Sequence, residues 1–125
     1  MRPGDRVAVA LPNCPQHVVA VTAILRLGAT VVEHNPLYTT AELEPQFNDH
    51  GARVAIVLDR VAETFTLLSK STPLETVVAV NMLEEVPLHL RAALALPLPR
   101  VKNMRAELSQ PAPGTLPWRE FVRQR

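Results

Sequence analysis

Glycine is scarce in this chain. Gly4, Gly28, Gly51 and Gly114 are the four it has in 125 residues, and no two lie closer than 23 positions. A loop that cradles phosphate needs glycines a few residues apart, so that successive backbone N–H groups converge on the anion. Neither GxGxxG nor GxxxxGK followed by Ser or Thr can be drawn here, which excludes a dedicated phosphate loop. Cysteine is scarcer still. Cys14 stands alone, which excludes an internal disulfide and a multi-cysteine zinc site, and fits a reducing compartment. Charge of one sign is lacking too. The net charge is +1, so no overall basic field recruits nucleic acid. The longest apolar-rich stretch, Val18 to Val32, is broken by Thr22, Arg26, Gly28 and Thr30 and is too short to span a bilayer. Met1 to Asp5 has no signal-peptide pattern. The expected setting is cytoplasmic, with peripheral membrane contact left open.

What is present is enough apolar material for a core, 47% of the residues, in one domain or a piece of one. Arg6 to Leu11 is short, β-branched and apolar, as a strand buried on both faces reads. Asn13 is placed to cap the helix that follows, with Pro15 in its first turn. Val18 to Leu27 is apolar on nearly every side, with Thr22 and Arg26 as a narrow polar edge. Such a helix is expected between a sheet and a second layer. Gly28 ends it and Ala29 to Glu33 reads as a second strand. Thr39 and Glu42 form a capping-box pattern for a helix closed by Gly51. Pro45 inside that helix predicts a kink or a late start, because proline removes a hydrogen bond and crowds the preceding turn. Arg53–Leu58, Val61–Ser69 and Thr76–Val80 read as strand, helix and strand.

The order β-α-β-α-β-α-β with tight connections predicts an α/β fold. Its sheet is parallel, right-handed in its crossovers, flanked by helices, and has four or more strands. Residues 1–80 form this unit. Residues 81–125 hold half of the 12 prolines and are expected to form an irregular, proline-rich strap. Within it, Leu88–Leu96 reads as a short helix, and Trp118–Arg123 as a terminal one with Trp118, Phe121 and Val122 inward. The six Lys/Arg of residues 100–125 read as a solvated segment rather than a nucleic-acid surface, since Trp118 and Phe121 are the only aromatics there.

Candidate chemistry is thin. His17, His34, His50 and His89 show no metal-ligand spacing with one another or with Cys14. Cys14 and His17 are spaced as a nucleophile pair can be, against the plainer reading of Cys14 as a small half-buried first-turn residue. His34 follows directly on a strand's carboxyl end, where open α/β sheets place ligands; the plainer reading is a loop histidine bonded to nearby backbone. Tyr38 reads either as part of that site or as a wedge against the sheet edge. Glu42, Glu44 and Asp49 read as a solvated helix face with a cap.

Three blocks carry a resemblance: GDRVAVALPN (Gly4–Asn13), ILRLGATVVEHNPLYT (Ile24–Thr39) and ELEPQFNDHGARV (Glu42–Val54). Together they resemble the N-terminal part of long-chain fatty-acid–CoA ligases, members of the adenylate-forming superfamily. The resemblance is strongest to Val80, and LPWREFV (Leu116–Val122) resembles the stretch that leads into their catalytic core. It implies a piece of an enzyme that uses ATP and magnesium to make an acyl-adenylate and passes the acyl group to CoA. It also implies that relatives carry a further segment before Arg2, and that the fatty acid, CoA and the remaining ligase chain are partners. The family's phosphate loop, adenine- and magnesium-binding motif and catalytic lysine have no counterpart in these residues. No catalytic, cofactor-binding or metal residue is therefore carried over, and the piece is expected to be inactive alone, with self-association through exposed apolar surface. His34, Asn35, Pro36 and Tyr38 are the implied acyl-site or subdomain-interface loop. Pro45 and His34 depart from the family pattern. Two other readings stay open: a free-standing receiver-like domain with Asp59 as phospho-acceptor, and a module that binds a partner through its basic tail.

Overall fold

The computed structural model describes residues 1–124. Five strands form one parallel sheet in the order β2-β1-β3-β4-β5. They are β1 (Arg6–Ala10), β2 (Thr30–Glu33), β3 (Val54–Leu58), β4 (Thr76–Val80) and β5 (Leu116–Pro117). The helices are α1 (Pro15–Arg26), α2 (Thr40–His50), α3 (Ala62–Leu68), α4 (Leu88–Leu94), α5 (Pro99–Leu108) and α6 (Trp118–Arg123). The α/β class and parallel sheet expected from the sequence are those observed, with β5 as an added short edge.

Strand alternation sends two sets of side chains to opposite faces. Val7, Val9, Ile56, Leu58, Val78 and Val80 pack toward Ala20 and Ile24 of α1 and Trp118 of α6. Ala8, Ala10, Ala55, Val57, Val77 and Ala79 pack toward Leu43 and Phe47 of α2 and Phe65 and Leu68 of α3. In β1 the valines thus face the α1 and α6 side, and the alanines face the side that holds Phe47 and Phe65. Phe47 and Phe65 meet edge-on, their centroids 6.0 Å apart.

The chain crosses from one face to the other between α1 and α2, and this produces the β2-β1-β3 order. Helix ends follow local chemistry. Thr39 and Glu42 close a reciprocal capping box on α2. Gly51 ends that helix at φ 65°, a left-handed position that favours glycine.

Several expectations need correction. The stretch expected to be an extended strap contains α5, which opens on Pro99 at its first position and continues through good helix formers. Cys14, not Asn13, is the N-cap residue of α1, and its side chain makes no cap bond. Val122 is 52% exposed rather than inward, while Trp118 is buried. Helix α1 is covered on one side alone: Val18, Val19 and Leu25 are 65%, 52% and 59% exposed. Pro45 neither delays nor ends α2, which runs unbroken from Thr40 to His50. Pro45 and Ala41 both lie on the exposed side, so water can take the carbonyl that proline leaves unpaired.

Replacing Pro45 with Ala restores a helix hydrogen bond at an exposed site. P45A is expected to stabilise the chain by about 2 kcal/mol, after allowing for the freer unfolded chain. Chemical denaturation checks this, and an unchanged or lower midpoint would show that the helix has adapted to its proline.

Candidate functional site: the carboxyl edge of the sheet

All four glycines precede strands, at the amino edge of the sheet: Gly4 before β1, Gly28 before β2, Gly51 before β3 and Gly114 before β5. Gly28 is also a close approach. A side chain there would meet the Cβ of Pro3 at 3.3 Å. The opposite edge, where the strands end, carries Pro12 and Pro36 and no glycine. In a doubly wound sheet the crevice at that edge lies where successive helices leave for opposite faces, here between β1 and β3.

A crevice of about 420 Å³ occupies this position. Pro12 comes from the turn after β1, Pro36 and Leu37 from the loop after β2, Leu58, Arg60 and Val61 from the end of β3, and Met82 from beyond β4. Its lining is apolar apart from Arg60 and Gln110. Leu37 is 82% exposed, held in a turn whose N–H donates to the Asn35 side-chain oxygen at 2.9 Å. The chemistry on offer is shape and apolar contact with one guanidinium, which suits an acyl chain better than a row of phosphates. With the glycines at the far edge, the described residues do not fit the phosphates of a nucleotide.

A second hollow, of about 370 Å³, adjoins it at the ends of β3 and β4. Asp59 stands on its wall and is 6% exposed. One carboxylate oxygen accepts from the Ser109 hydroxyl at 2.9 Å and from the Gln110 N–H at 3.2 Å. Asp59 therefore ties the segment after α5 to the sheet. Glu84, on the same wall, has its carboxyl pushed above the usual range by burial, and Arg119 at 3.4 Å works against that shift. No group of three or more His, Cys, Asp or Glu among the described residues is placed to hold a metal.

The four candidate loop residues part company. Pro36 lines the crevice. Asn35 shapes the turn behind it. Tyr38 is 39% exposed and does not join the lining. His34 turns away from the edge altogether: it is 6% exposed and stacks on Phe47 at 5.0 Å. Its N–H donates to the Val9 carbonyl at 2.8 Å, beside the sheet. Cys14 and His17 form no side-chain pair, because the His17 ring meets Glu33 at 2.8 Å. Arg60, Leu37 and Met82 escaped the sequence reading, although each lies within four residues of a strand's carboxyl end. That position was the available signal.

This is the doubly wound class of α/β sheet with its crevice at the reversal of strand order. The chain belongs to the AMP-binding enzyme family, whose model matches residues 1–113. It is 43% identical over 82 residues to the long-chain-fatty-acid–CoA ligase of Salmonella typhimurium, a stretch covering 66% of this chain and 15% of that protein. It is 35% identical over 101 residues to the Haemophilus influenzae enzyme of the same name, covering 81% of this chain and 18% of that protein. The chain thus spans under a fifth of the length of these relatives. Among solved structures, the long-chain-fatty-acid–CoA ligase of Archaeoglobus fulgidus matches with a TM-score of 0.60 and 34% identity, over 63% of this chain and 16% of that one. The acetoacetyl-CoA synthetase of Streptomyces lividans shares the fold over 99% of this chain and 17% of its own, with a TM-score of 0.65 at 23% identity.

Asp59→Ala removes two hydrogen bonds to a charged group and is expected to cost about 2–4 kcal/mol. Residues 109–113 should become the first site of limited proteolysis in that variant. Unchanged cleavage would show that the segment is held by other contacts.

Proposed function

We propose that this chain is a structural segment of an ATP-dependent long-chain fatty-acid–CoA ligase. Such an enzyme joins a fatty acid to CoA through an acyl-adenylate, with release of AMP and pyrophosphate. The observation that carries the reading is the 43% identity with a long-chain-fatty-acid–CoA ligase over 82 residues, two thirds of this chain. The part assigned to the segment is to present the apolar edge formed by Pro36, Leu37, Val61 and Met82 toward the acyl chain. ATP, magnesium and CoA act in the intact ligase and are held by residues outside this chain. By itself the segment is inactive. Its site of action is cytoplasmic, with contact at the membrane surface where long-chain fatty acids partition.

The receiver-like reading has the same strand order on its side, but strand order does not decide function. Its phospho-acceptor, Asp59, is buried and already accepts two hydrogen bonds. Leu11, Pro12 and Asn13 stand where an acidic magnesium pair is required.

The half-covered α1 supports the rest of the ligase chain as partner. Val18, Thr22 and Leu25 lie at helical spacing on its outer face, with Val19 beside them, and two layers are the normal requirement of so apolar a helix. Alone, the chain should self-associate through this face. V18E/L25E, two exposed substitutions, is expected to yield a monomer by light scattering where the parent chain yields oligomers. A monomeric parent would remove this use of α1.

The function itself is tested by exchange. The corresponding segment of the Salmonella ligase is replaced with residues 1–113, and acyl-CoA formation is measured. The hybrid is expected to retain activity, whereas the 125-residue chain with ATP, magnesium and fatty acid releases no pyrophosphate. A folded, inactive hybrid would count against the assignment, and pyrophosphate from the chain alone would overturn its inactivity.

A further inference from the structure

His34 and His50 face each other through their Nε2 atoms at 3.0 Å. Their neighbours determine where every proton sits. The Ala52 N–H donates to His50 Nδ1 at 3.0 Å, so that nitrogen must offer its lone pair. The His50 proton is then on Nε2 and is donated to His34 Nε2. The His34 proton is in turn on Nδ1, donated to the Gln46 side-chain oxygen at 3.1 Å. The Gln46 amide nitrogen donates to the Glu42 carbonyl at 2.8 Å, which fixes the orientation of that amide. The row runs in one direction and has no vacancy. An added proton on His34 would set two N–H groups against each other at Nε2. An added proton on His50 would oppose the Ala52 N–H. A metal ion between the rings meets the same obstacle, because it needs both Nε2 lone pairs and hence a proton on His50 Nδ1.

We infer that the His34–His50 pair is an acid-released latch. Both rings must stay neutral for it to close, and it holds the Asn35–Tyr38 loop, with Pro36 and Leu37, against the crevice. The mechanical link is short. His34 is fixed to β1 through its own N–H and to α2 through its ring, and the loop begins at the next residue. Asn35 then turns the chain, accepting from the N–H groups of Leu37 and Tyr38. Separating the rings frees the end from which that turn starts.

The surroundings support neutrality. Burial lowers the pKa of His34, against smaller opposing effects from Gln46 and Glu33. Glu33 of β2 is itself engaged by His17 of α1. Burial also lowers the pKa of His50, aided by His34 and by Arg6 of β1, with Asp49 of α2 opposing. Arg6 reaches the His50 carbonyl at 3.2 Å. Helix α3 contributes Phe65, which is uncharged, behind Phe47. Because both groups bind a proton less readily folded than unfolded, the latch is at full strength above the ordinary histidine value of about 6.5. It weakens as pH falls below that.

The test uses the 125-residue chain with labelled imidazole nitrogens. Nitrogen–proton correlation spectra are expected to show the less common Nδ1–H form for His34 and the Nε2–H form for His50. Protection of the Leu37 and Tyr38 amides, corrected for intrinsic exchange, should drop between about pH 7.5 and about pH 5. The folding constant should fall up to about tenfold per pH unit for each excluded proton. In His50→Gln the partner can accept from a protonated ring, so His34 should titrate at a higher pH than in the parent chain. An Nε2–H form for His34, or amide protection that does not change with pH, would overturn the latch without need of the variant.

Discussion

Everything in this segment depends on β1 being buried on both faces. Five residues, Arg6 to Ala10, lie between β2 and β3 in hydrogen-bonding register and between helices above and below. Four of them are at most 1% exposed. The alternation is in size as well as in direction: Val7 and Val9 are met by Ala20 and Ile24, while Ala8 and Ala10 leave the volume that Phe47 and Phe65 fill. Close packing makes such a match demanding, because overpacking typically costs about 1–3 kcal/mol and an emptied aromatic site more. A one-residue slip of β1 would exchange the two faces, setting valine toward Phe47 and Phe65 and alanine toward Ala20 and Ile24. Register is therefore specified by volume, not by polarity, in a strand that has no polar face.

That constraint carries outward to the carboxyl edge. With β1 fixed, the departures of α1 from β1 and of α3 from β3 to opposite faces open the crevice between those two strand ends. The loop after β2 can then reach across it. Phe47 takes part in both arrangements. It fills the volume left by the small strand residues, and it stacks under His34, which starts that loop. Core packing and loop position are thereby coupled through one aromatic ring, and the histidine pair places that coupling under the control of protons.

Much of the fold was legible in the residues. Valine-rich runs bounded by Pro12, Gly28 and Gly51 marked the strands, and Thr39 with Glu42 marked the start of α2, because these features act locally. What escaped depends on tertiary context. Pro99 reads as a breaker when the prolines around it are counted and as a helix start when its position is considered. Leu116 and Pro117 pair with β4 only once the sheet exists. The two sides of α1 are hard to tell apart in a sequence whose polar edge is as narrow as Thr22 and Arg26. Of the candidate site, the loop was found from its place after a strand, and the direction of His34 was not. The choice between crevice and core was made by Phe47, Gln46 and His50, which lie twelve to sixteen positions away.

The placement of glycine and proline argues for a division of labour along the proposed ligase. Glycines at the amino edge serve turns that enter strands. Prolines at the carboxyl edge, Pro12 and Pro36 among them, stiffen a surface while offering no N–H to an anion. A site built from such residues holds its shape well and, Arg60 apart, offers no charge to a ligand. It is suited to a long apolar chain whose orientation is set by exclusion, and unsuited to phosphoryl chemistry, which needs converging donors. The apolar outer side of α1 completes the same argument. A helix that gives water little more than Thr22 and Arg26 is expected to pack against a second layer, as the proposed ligase would supply.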